Sequence, residues 1–299
     1  MANTIPAGLQ NNIISQSALE AFAKKLAPLQ AFSTSFNDEA TKKGDTINVT
    51  TLSNTSSAAS FSGTYIAQDV TYGTTAISLD QHLFVTWHIT DTQASESSAV
   101  ELERFGYQKG SDLADAVFQN ILAEVTVANY GLAAGFTGAA STFDGDDVAD
   151  LRGDMTTYNC PPDQCALVVG NDYFTALLKD NNISGYFDYG SADIIRDGRI
   201  PSLFGIGYIF ETGSIPANAE NLIGFIAHPS AMAVAMRYLE PTNTQEYIAA
   251  NRLYDEDSGM VLGYREYYEP STGTQTAVLE AVFGKQVGVS NNLRRMISA

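Results

Sequence analysis

The sequence DIIRDGRIPSLFGIGYIFETGSIP, residues 193–216, decides how the fold is predicted. Glycines alternate with large apolar side chains from Gly205 to Phe210, and Gly213 and Pro216 close the run. This pattern predicts a tight turn, a closely packed strand and a second turn. The stretch contains no nucleophile motif, no metal-ligand cluster and no phosphate-binding loop. It therefore points to architecture rather than to catalysis.

The composition is that of a globular protein with a weakly charged surface. Of 299 residues, 44% are hydrophobic and 17% are charged, whereas about 25% are charged in an average soluble protein. Much of the surface must therefore consist of Ser, Thr, Asn, Gln and Gly. Such surfaces are less costly to bury against a neighbour, because desolvating a charge costs far more than desolvating an uncharged group. The length allows one or two domains.

The net charge of −18 argues against a free-standing DNA-binding protein, because such proteins need a basic surface to displace counterions from phosphates. Basic residues are enriched near both ends of the chain, at Lys24, Lys25, Lys42, Lys43, Arg294 and Arg295. We interpret these ends as solvated termini that make weak, non-specific contact with DNA at most. No segment reaches the roughly 18 consecutive apolar residues of a membrane span, and no signal-peptide pattern is visible, so no membrane partner is predicted.

The first 90 residues predict an arm followed by a long hairpin. Residues 1–44 begin as a polar, irregular segment in which a capping box at Ser17 opens a short helix, and Pro28 ends it. The apolar face of that helix consists of Leu19, Phe22, Ala23 and Leu26. Residues 45–52 and 74–89 alternate apolar and polar side chains around a Ser/Thr-rich middle, which indicates two strands of one hairpin. Its tip must lie on another surface, because an isolated two-stranded ribbon is marginally stable.

Residues 95–129 carry the clearest helical pattern, with Ser95 or Ser97 as the cap. One stripe repeats every four residues, at Leu113, Val117, Ile121 and Val125, and Phe118 and Leu122 widen it. Gly106 and Gly110 predict a bend or a break, and Gly131 and Gly135 predict the end of the helix.

Residues 132–237 alternate short strands and helices, which predicts an α+β unit with a mixed sheet. The pattern predicts a buried strand from Ala166, a helix capped by Asn171 or Asp172, a strand from Asn221 and a short helix from His228. From Tyr238 the sequence is β-rich, with strands predicted at 247–253, 260–269 and 275–289 and a turn at 255–259.

Several residues invite a chemical interpretation, and for each the structural one is preferred. His82 and His88 fall on one face of a strand and could bind a metal with Asp80 or Asp91, but polar residues on an outer face are commoner. The acidic residues Asp144, Asp146, Asp147 and Asp150 lack the spacing and the closing Glu of an EF-hand, so we expect a solvated loop. The tripeptide Arg152-Gly153-Asp154 in the same loop matches a cell-adhesion motif by chance, and Cys160 and Cys165 are interpreted as two loop thiols. We predict no catalytic, cofactor-binding or metal-binding residues, no cofactor and no enzyme activity.

The order of these segments resembles the major capsid protein of tailed bacteriophages, which has the Hong Kong 97 phage type of fold. Residues 44–49 leading into 77–91 resemble that family's extended E-loop and its return strand, and residues 97–129 resemble its spine helix. Residues 166–179 and 193–216 resemble its axial domain, and the tail from Gly259 resembles the strands that complete its peripheral domain.

The resemblance implies an α+β capsid fold with four parts. They are an N-terminal arm at 1–44, an extended E-loop hairpin at 45–90, a peripheral domain with the spine helix at 91–131 and 238–299, and an axial domain at 132–237. The 44 residues before the hairpin leave no room for the long scaffolding extension of some family members, so any scaffold is expected to be a separate protein.

The implied function is self-assembly into the hexamers and pentamers of an icosahedral head that encloses double-stranded DNA. The implied partners are other copies of the chain, with scaffolding, portal and decoration proteins as further candidates, and the implied location is the virion, assembled in the bacterial host cytoplasm. Two alternatives stay open. One is an acidic carbohydrate-active enzyme or binding module, and the other is a non-viral compartment shell of the same fold.

Overall fold

The computed structural model describes residues 7–34, 46–53, 60–61, 63, 71–96, 99–180, 183, 200, 202–216, 218–243, 246–254 and 260–299. Two five-stranded sheets, one two-stranded hairpin and six α-helices make up this described part. The helices are α1 Ala7–Leu26, α2 Asp91–Glu96, α3 Ala99–Leu122, α4 Val127–Tyr130, α5 Gly145–Thr157 and α6 Asn171–Lys179. The strands are β1 Thr46–Ser53, β2 Thr71–Ser78, β3 Gln81–Thr90, β4 Phe136–Thr137, β5 Ala166–Gly170, β6 Tyr208–Thr212, β7 Leu222–Ala227, β8 Met232–Arg237, β9 Ala249–Tyr254, β10 Val261–Glu269, β11 Thr274–Val287 and β12 Leu293–Ile297.

The N-terminal segment contains a long, packed helix, which corrects the prediction of an irregular arm with a short helix. Helix α1 begins at Ala7, ten residues before the predicted cap. Ser17 lies inside the helix, where its buried Oγ donates a 3.0 Å hydrogen bond to the carbonyl oxygen of Ile14. The hydroxyl of a serine in the middle of a helix commonly donates to a carbonyl of the preceding turn. Ser17 therefore does not cap the helix.

Helix α1 packs closely against α3, and this contact explains the two glycines that were predicted to bend or break the helix. Helix α3 is continuous through both of them. A Cβ atom on Gly110 would lie 2.2 Å from the carbonyl oxygen of Ala18, and one on Gly106 would lie 2.5 Å from that of Ile14. The glycines therefore allow two backbones to approach each other, at the expense of some helix propensity.

The apolar stripe of α3 forms the centre of the main core, as its period predicted. Leu113, Val117 and Ile121 of α3 are fully buried, and so is Val125, which follows the helix. The predicted single helix at 95–129 is wrong in its extent, because α3 ends at Leu122 and residues 91–96 and 127–130 form separate helices. Gly131, with a φ of +56°, ends α4 in the left-handed conformation that glycine tolerates.

The first sheet has the strand order β3-β11-β10-β9, and β8 pairs with the second half of β11. The predicted return strand at 74–89 is two strands, which corrects the extent of the hairpin. Strand β2 pairs with β1, whereas β3 pairs with β11. The chain changes direction between them at Leu79, which is buried, and Asp80, which is exposed.

Residues 228–236 do not form the predicted helix. A short 3-10 turn at Pro229–Ala231 leads directly into strand β8. The sequence Met-Ala-Val-Ala-Met satisfies the period of a strand as well as that of a helix, and pairing with β11 decides in favour of the strand. Met232, Val234 and Met236 lie in the main core.

The second sheet has the order β4-β12-β7-β5-β6, with β5 and β6 parallel. The predicted strands at β5 and β7 and the predicted helix at α6 are confirmed, although α6 starts without a side-chain cap from Asn171 or Asp172. Strand β12 was not predicted. It pairs with β7 and β4, so the chain returns to this sheet after completing the first one, whereas the sequence placed residues 238–299 together.

The stretch that opened the sequence analysis forms a turn and an edge strand, and residues 193–199 and 201 within it lie outside the described part. The strand β6 starts at Tyr208, three residues after the predicted Gly205. Gly205 adopts a φ of +80°, and a Cβ on Gly207 would lie 2.1 Å from the carbonyl oxygen of Asp163. The two glycines therefore serve a turn that packs against residues 161–165.

Replacing Gly110 by alanine tests the crossing of α1 and α3. We expect Gly110→Ala to lower the free energy of unfolding by about 1–3 kcal/mol, because its Cβ would overlap the backbone of Ala18. The matched control is Gly153→Ala in α5, where the Cβ would meet nothing within 4 Å. In that variant the free energy of unfolding should rise by about 0.5–1 kcal/mol, because alanine has a higher helix propensity than glycine. Denaturant unfolding of the purified chain measures both, and equal effects in the two variants would contradict the close crossing.

Candidate assembly surfaces

The hairpin β1–β2 is attached to the body at its root. The two strands pair in register from Thr46 and Ser78 to Ser53 and Thr71. At the root, Ile47, Ile77 and Leu79 form a small apolar cluster with Ala235 of β8, separate from the two larger cores.

Two small residues make the seat for this root. Gly284 of β11 pairs with Ala235 of β8, and a Cβ on Gly284 would lie 2.3 Å from the carbonyl oxygen of Ser78. Sequence reasoning missed this seat. The available signal was a glycine inside a strand, which commonly marks a close approach of another backbone.

The outer face of the first sheet presents exposed aromatic side chains. Phe84 of β3 is 62% exposed, with its ring centroid 6.3 Å from that of His82. Farther along the same face, Tyr267 packs edge-on against Tyr247 at 6.5 Å between centroids. Exposed aromatic side chains are typical of surfaces that bury area against a partner.

The edge of the second sheet is also aromatic. Tyr208 of β6 is 54% exposed and stacks on Phe210 at 6.1 Å between ring centroids. In the described part of the chain, β6 pairs with one strand only, β5. A sheet edge with exposed large side chains is a natural place for another chain to bind.

The two histidines of β3 point to the same face, as predicted, and each contacts a side chain of β11. The Nε2 atom of His82 lies 3.0 Å from a carboxylate oxygen of Glu280, and Nδ1 of His88 lies 2.9 Å from Oγ1 of Thr276. Arg265 of β10 places Nη2 2.7 Å from the other oxygen of Glu280. The buried carboxylate thus lies between two basic groups, and Asp80 and Asp91 are not among its neighbours in these contacts.

The acidic residues at 144–150 start a helix, which corrects the prediction of a solvated loop. Asp144 accepts hydrogen bonds from the backbone N–H groups of Asp146 and Asp147, and the side chain of Asp147 accepts one from the N–H of Asp144. This reciprocal capping places negative charge at the positive end of α5. Burial raises the pKa of Asp147, with the neighbouring carboxylates adding to the shift. Arg152, Gly153 and Asp154 lie in the same helix rather than in a loop.

Cys160 and Cys165 are free, buried thiols that flank a short turn. Burial raises the pKa of both, and that of Cys165 to about 12. The reactive thiolate is therefore scarce at neutral pH. His228 caps the 3-10 turn by accepting from the backbone N–H of Ser230, and burial lowers its pKa.

The basic residues near the C-terminus are buried, which corrects their interpretation as solvated DNA contacts. Arg295 forms an ion pair with Glu220 and donates to the carbonyl oxygen of Leu132 at 3.1 Å. Arg294 lies 3.5 Å from a carboxylate oxygen of Asp154 and stacks over the ring of Tyr158.

The basic residues of the N-terminal segment also have carboxylate partners. Lys24 pairs with Glu20 at 2.6 Å, and Lys25 pairs with Asp115 at 2.5 Å. Lys42 and Lys43 lie outside the described residues.

The surface cavities do not assemble a catalytic constellation among the described residues. Two open grooves have volumes of about 590 Å³ each. One is lined by Asp144, Asp172, Lys179 and Asp180, among others. The other is lined by Lys24, Lys25 and Asn171 together with residues of β6. No cluster of three or more His, Cys, Asp or Glu side chains suited to a metal ion occurs in the part of the chain that is described. Within that same part, no helix combines the length and apolar character of a membrane span.

Replacing Arg295 tests the structural role of the C-terminal arginines. We expect Arg295→Ala to lower the free energy of unfolding by about 3 kcal/mol, because Glu220 loses its cation and the Leu132 carbonyl loses a donor. Arg152→Ala, on the exposed face of α5, is the control and should change it by less than about 0.5 kcal/mol. Denaturant unfolding gives both values. If Arg295→Ala left the free energy of unfolding unchanged, the ion pair would contribute nothing to stability.

Comparison with known proteins identifies the fold. No protein-family model matches the sequence, and no curated protein matches it. Among solved structures, the capsid structure of the cyanophage P-SCSP1u superposes with a TM-score of 0.60 and 14% identity, over 90% of this chain and 86% of that one. The mature capsid of bacteriophage PhiM1 superposes with a TM-score of 0.55 and 13% identity, over 90% of this chain and 85% of that one. A virus-like particle from Pyrococcus furiosus superposes with a TM-score of 0.55 and 12% identity, over 95% of this chain and 98% of that one. The chain therefore has the α+β fold of tailed-bacteriophage major capsid proteins, as the order of its segments predicted.

Proposed function

We propose that this chain is a major capsid protein whose copies form the hexamers and pentamers of an icosahedral head around double-stranded DNA. The observation that carries the proposal is the hairpin β1–β2. Among the described residues, its root packs in the small cluster of Ile47, Ile77 and Leu79 on Ala235. A two-stranded ribbon gains little stability by itself, so a neighbouring copy is the natural surface for it.

The distribution of charge and exposed side chains supports the same proposal. Phe84 and Tyr208 expose aromatic surface on two different sheets, as expected of a subunit with neighbours on several sides. The net charge of −18 disfavours tight binding of the enclosed DNA. We therefore propose a container that repels its contents, with weak, non-specific contact at most. The role requires no catalysis and no cofactor.

The proposal also assigns a domain of the capsid subunit to each region of the fold. We propose that residues 132–231, with β12, form the axial domain and that α3 with the first sheet, which includes β8, forms the peripheral domain. Scaffolding, portal and decoration proteins are the further partners we propose, and assembly takes place in the cytoplasm of a bacterial host.

A compartment shell that encloses protein cargo is the second candidate. The likeness to a virus-like particle from Pyrococcus furiosus, over 95% of this chain and 98% of that one, supports a shell of either kind. The two functions share the shell and differ in what it contains.

Electron microscopy of the purified protein tests both candidates. We expect closed shells, or rings of five and six subunits, from the chain expressed alone or with its scaffold. Shells that contain double-stranded DNA when assembled in an infected host support the capsid, and shells that contain protein cargo without nucleic acid support the compartment. A stable monomer with affinity for glycans would refute both and favour the carbohydrate-binding alternative.

The hairpin root can be tested separately from the body of the subunit. We expect Ile77→Ala to open a cavity under the root, to cost about 2–5 kcal/mol locally and to abolish shells. The main unfolding transition should change little, because Ile77 lies outside the main core. Ile14→Ala, the same change inside that core, should lower the main transition instead. If Ile77→Ala still forms shells at the wild-type yield, the hairpin is not the assembly element.

A further inference from the structure

The segment after helix α1, residues 27–33, touches both sheets of the subunit. It is hereafter called the strap. Its start is a 3-10 helix in which Pro28, Leu29 and Ala31 are buried. It lies across the boundary between β8 of the first sheet and β7 of the second.

At one end the strap is part of the first sheet. The backbone N–H of Ser33 donates to the carbonyl oxygen of Met232 at 3.0 Å, and the N–H of Val234 donates to the carbonyl oxygen of Ser33 at 2.9 Å. Ser33 thereby pairs with Ala233 as a parallel bridge on the edge of β8. The other edge of β8 pairs with β11.

At the preceding residue the strap is bound to the second sheet. The ring of Phe32 stacks on that of Phe225 of β7, with 5.4 Å between centroids and 10° between planes. Both rings are buried in the main core. Such a stacked pair adds about 0.5–1.5 kcal/mol to the gain from burial.

The hairpin root rests on the same strand that the strap borders. Ala235 belongs to the cluster of Ile47, Ile77 and Leu79, and Ala233 packs against that cluster. Ala233 therefore contacts the hairpin through its side chain and faces Ser33 through its backbone.

We propose that the strap couples the hairpin to the second sheet. The connection runs from the hairpin root to β8, from β8 to Ser33 by two hydrogen bonds, and from Phe32 to Phe225 by stacking. Packed cores have discrete arrangements rather than continuous ones, so a swing of the hairpin about its root must displace the strap or break one of these contacts. The coupling belongs to the single subunit and holds whether or not the subunit builds a shell.

Hydrogen exchange of the unassembled full chain tests the coupling. In Phe32→Ala, we expect amides at 76–79 of the hairpin root and at 224–226 of β7 to exchange at least tenfold faster. In Ser33→Pro, which removes the donor to Met232, the hairpin root should again exchange faster while 224–226 keep their protection. Phe32 is extended, with a ψ of 165°, which suits a residue before proline.

The controls separate coupling from general loss of stability. Phe84→Ala removes the same ring from an exposed site and should change neither region. Coupling between two sites acts in both directions, so a change in the hairpin root must also affect the strap. We therefore expect Ile77→Ala to speed exchange of the Ser33 amide. The proposal is overturned if the hairpin root keeps wild-type exchange in both strap variants. It is overturned equally if exchange rises uniformly, including the amides of Leu113 to Leu122 in α3, because the strap would then stabilise the whole fold without linking two parts.

Discussion

Strand β11 is hydrogen-bonded to other strands along its whole length, and the positions of most other elements depend on this pairing. Residues 274–283 pair with β3 on one side, and on the other side β10 and then β8 follow each other along it. Buried backbone groups must be paired, and a slip of one residue in the register of β11 would turn Leu279 and Phe283 away from the core. The strand also carries Gly284, where the hairpin root rests.

Glycines, which have no side chain, determine where helix α1 and the hairpin β1–β2 pack. Helix α1 approaches α3 at Gly106 and Gly110, and the hairpin approaches the first sheet at Gly284 beside Ala235. In both places a backbone fills the space that a side chain would occupy. The subunit thus attaches its N-terminal elements by close backbone contact as well as by apolar burial, and one added methyl group at these positions is enough to disturb the fit.

Periodicity predicted most of the elements, whereas the partners of each element could not be predicted. The four-residue repeat of Leu113 to Val125 and the buried run from Ala166 were interpreted correctly, because burial on one face or on both leaves a local pattern. The first five residues of β8, Met-Ala-Val-Ala-Met, fit a helix and a strand equally, and only pairing with β11 distinguishes the two. Gly110 was expected to weaken a helix, since its use depends on Ala18, ninety-two positions away in the sequence.

The same limit applies to the assembly surfaces and to charge. The extended hairpin was predicted from alternation, but the seat on Gly284 and Ala235 depends on residues more than 150 positions later in the sequence. Arg294 and Arg295 were interpreted from their place near the chain end. Strand β12 carries them into the second sheet, where Asp154 and Glu220 pair with them. A position near a terminus indicates exposure only when the terminal segment is not itself part of a sheet.

Burial of Arg and Lys side chains in internal ion pairs determines how much positive charge remains on the surface. The chain has 34 acidic residues and 16 Lys and Arg. Four of these cations have largely buried side chains that pair with carboxylates, namely Arg265, Lys285, Arg294 and Arg295. The remaining cations are fewer than the remaining carboxylates, so in the proposed shell two copies of the chain would approach each other as like-charged bodies. Physiological salt screens this repulsion beyond roughly 8 Å, but within that distance uncharged groups must provide the attraction. The exposed rings of Phe84 and Tyr208 and the uncharged Ser- and Thr-rich surface supply such groups. In the proposed shell, attraction through such uncharged patches makes contact between copies depend on geometry, because orientations that bring carboxylates together are repelled.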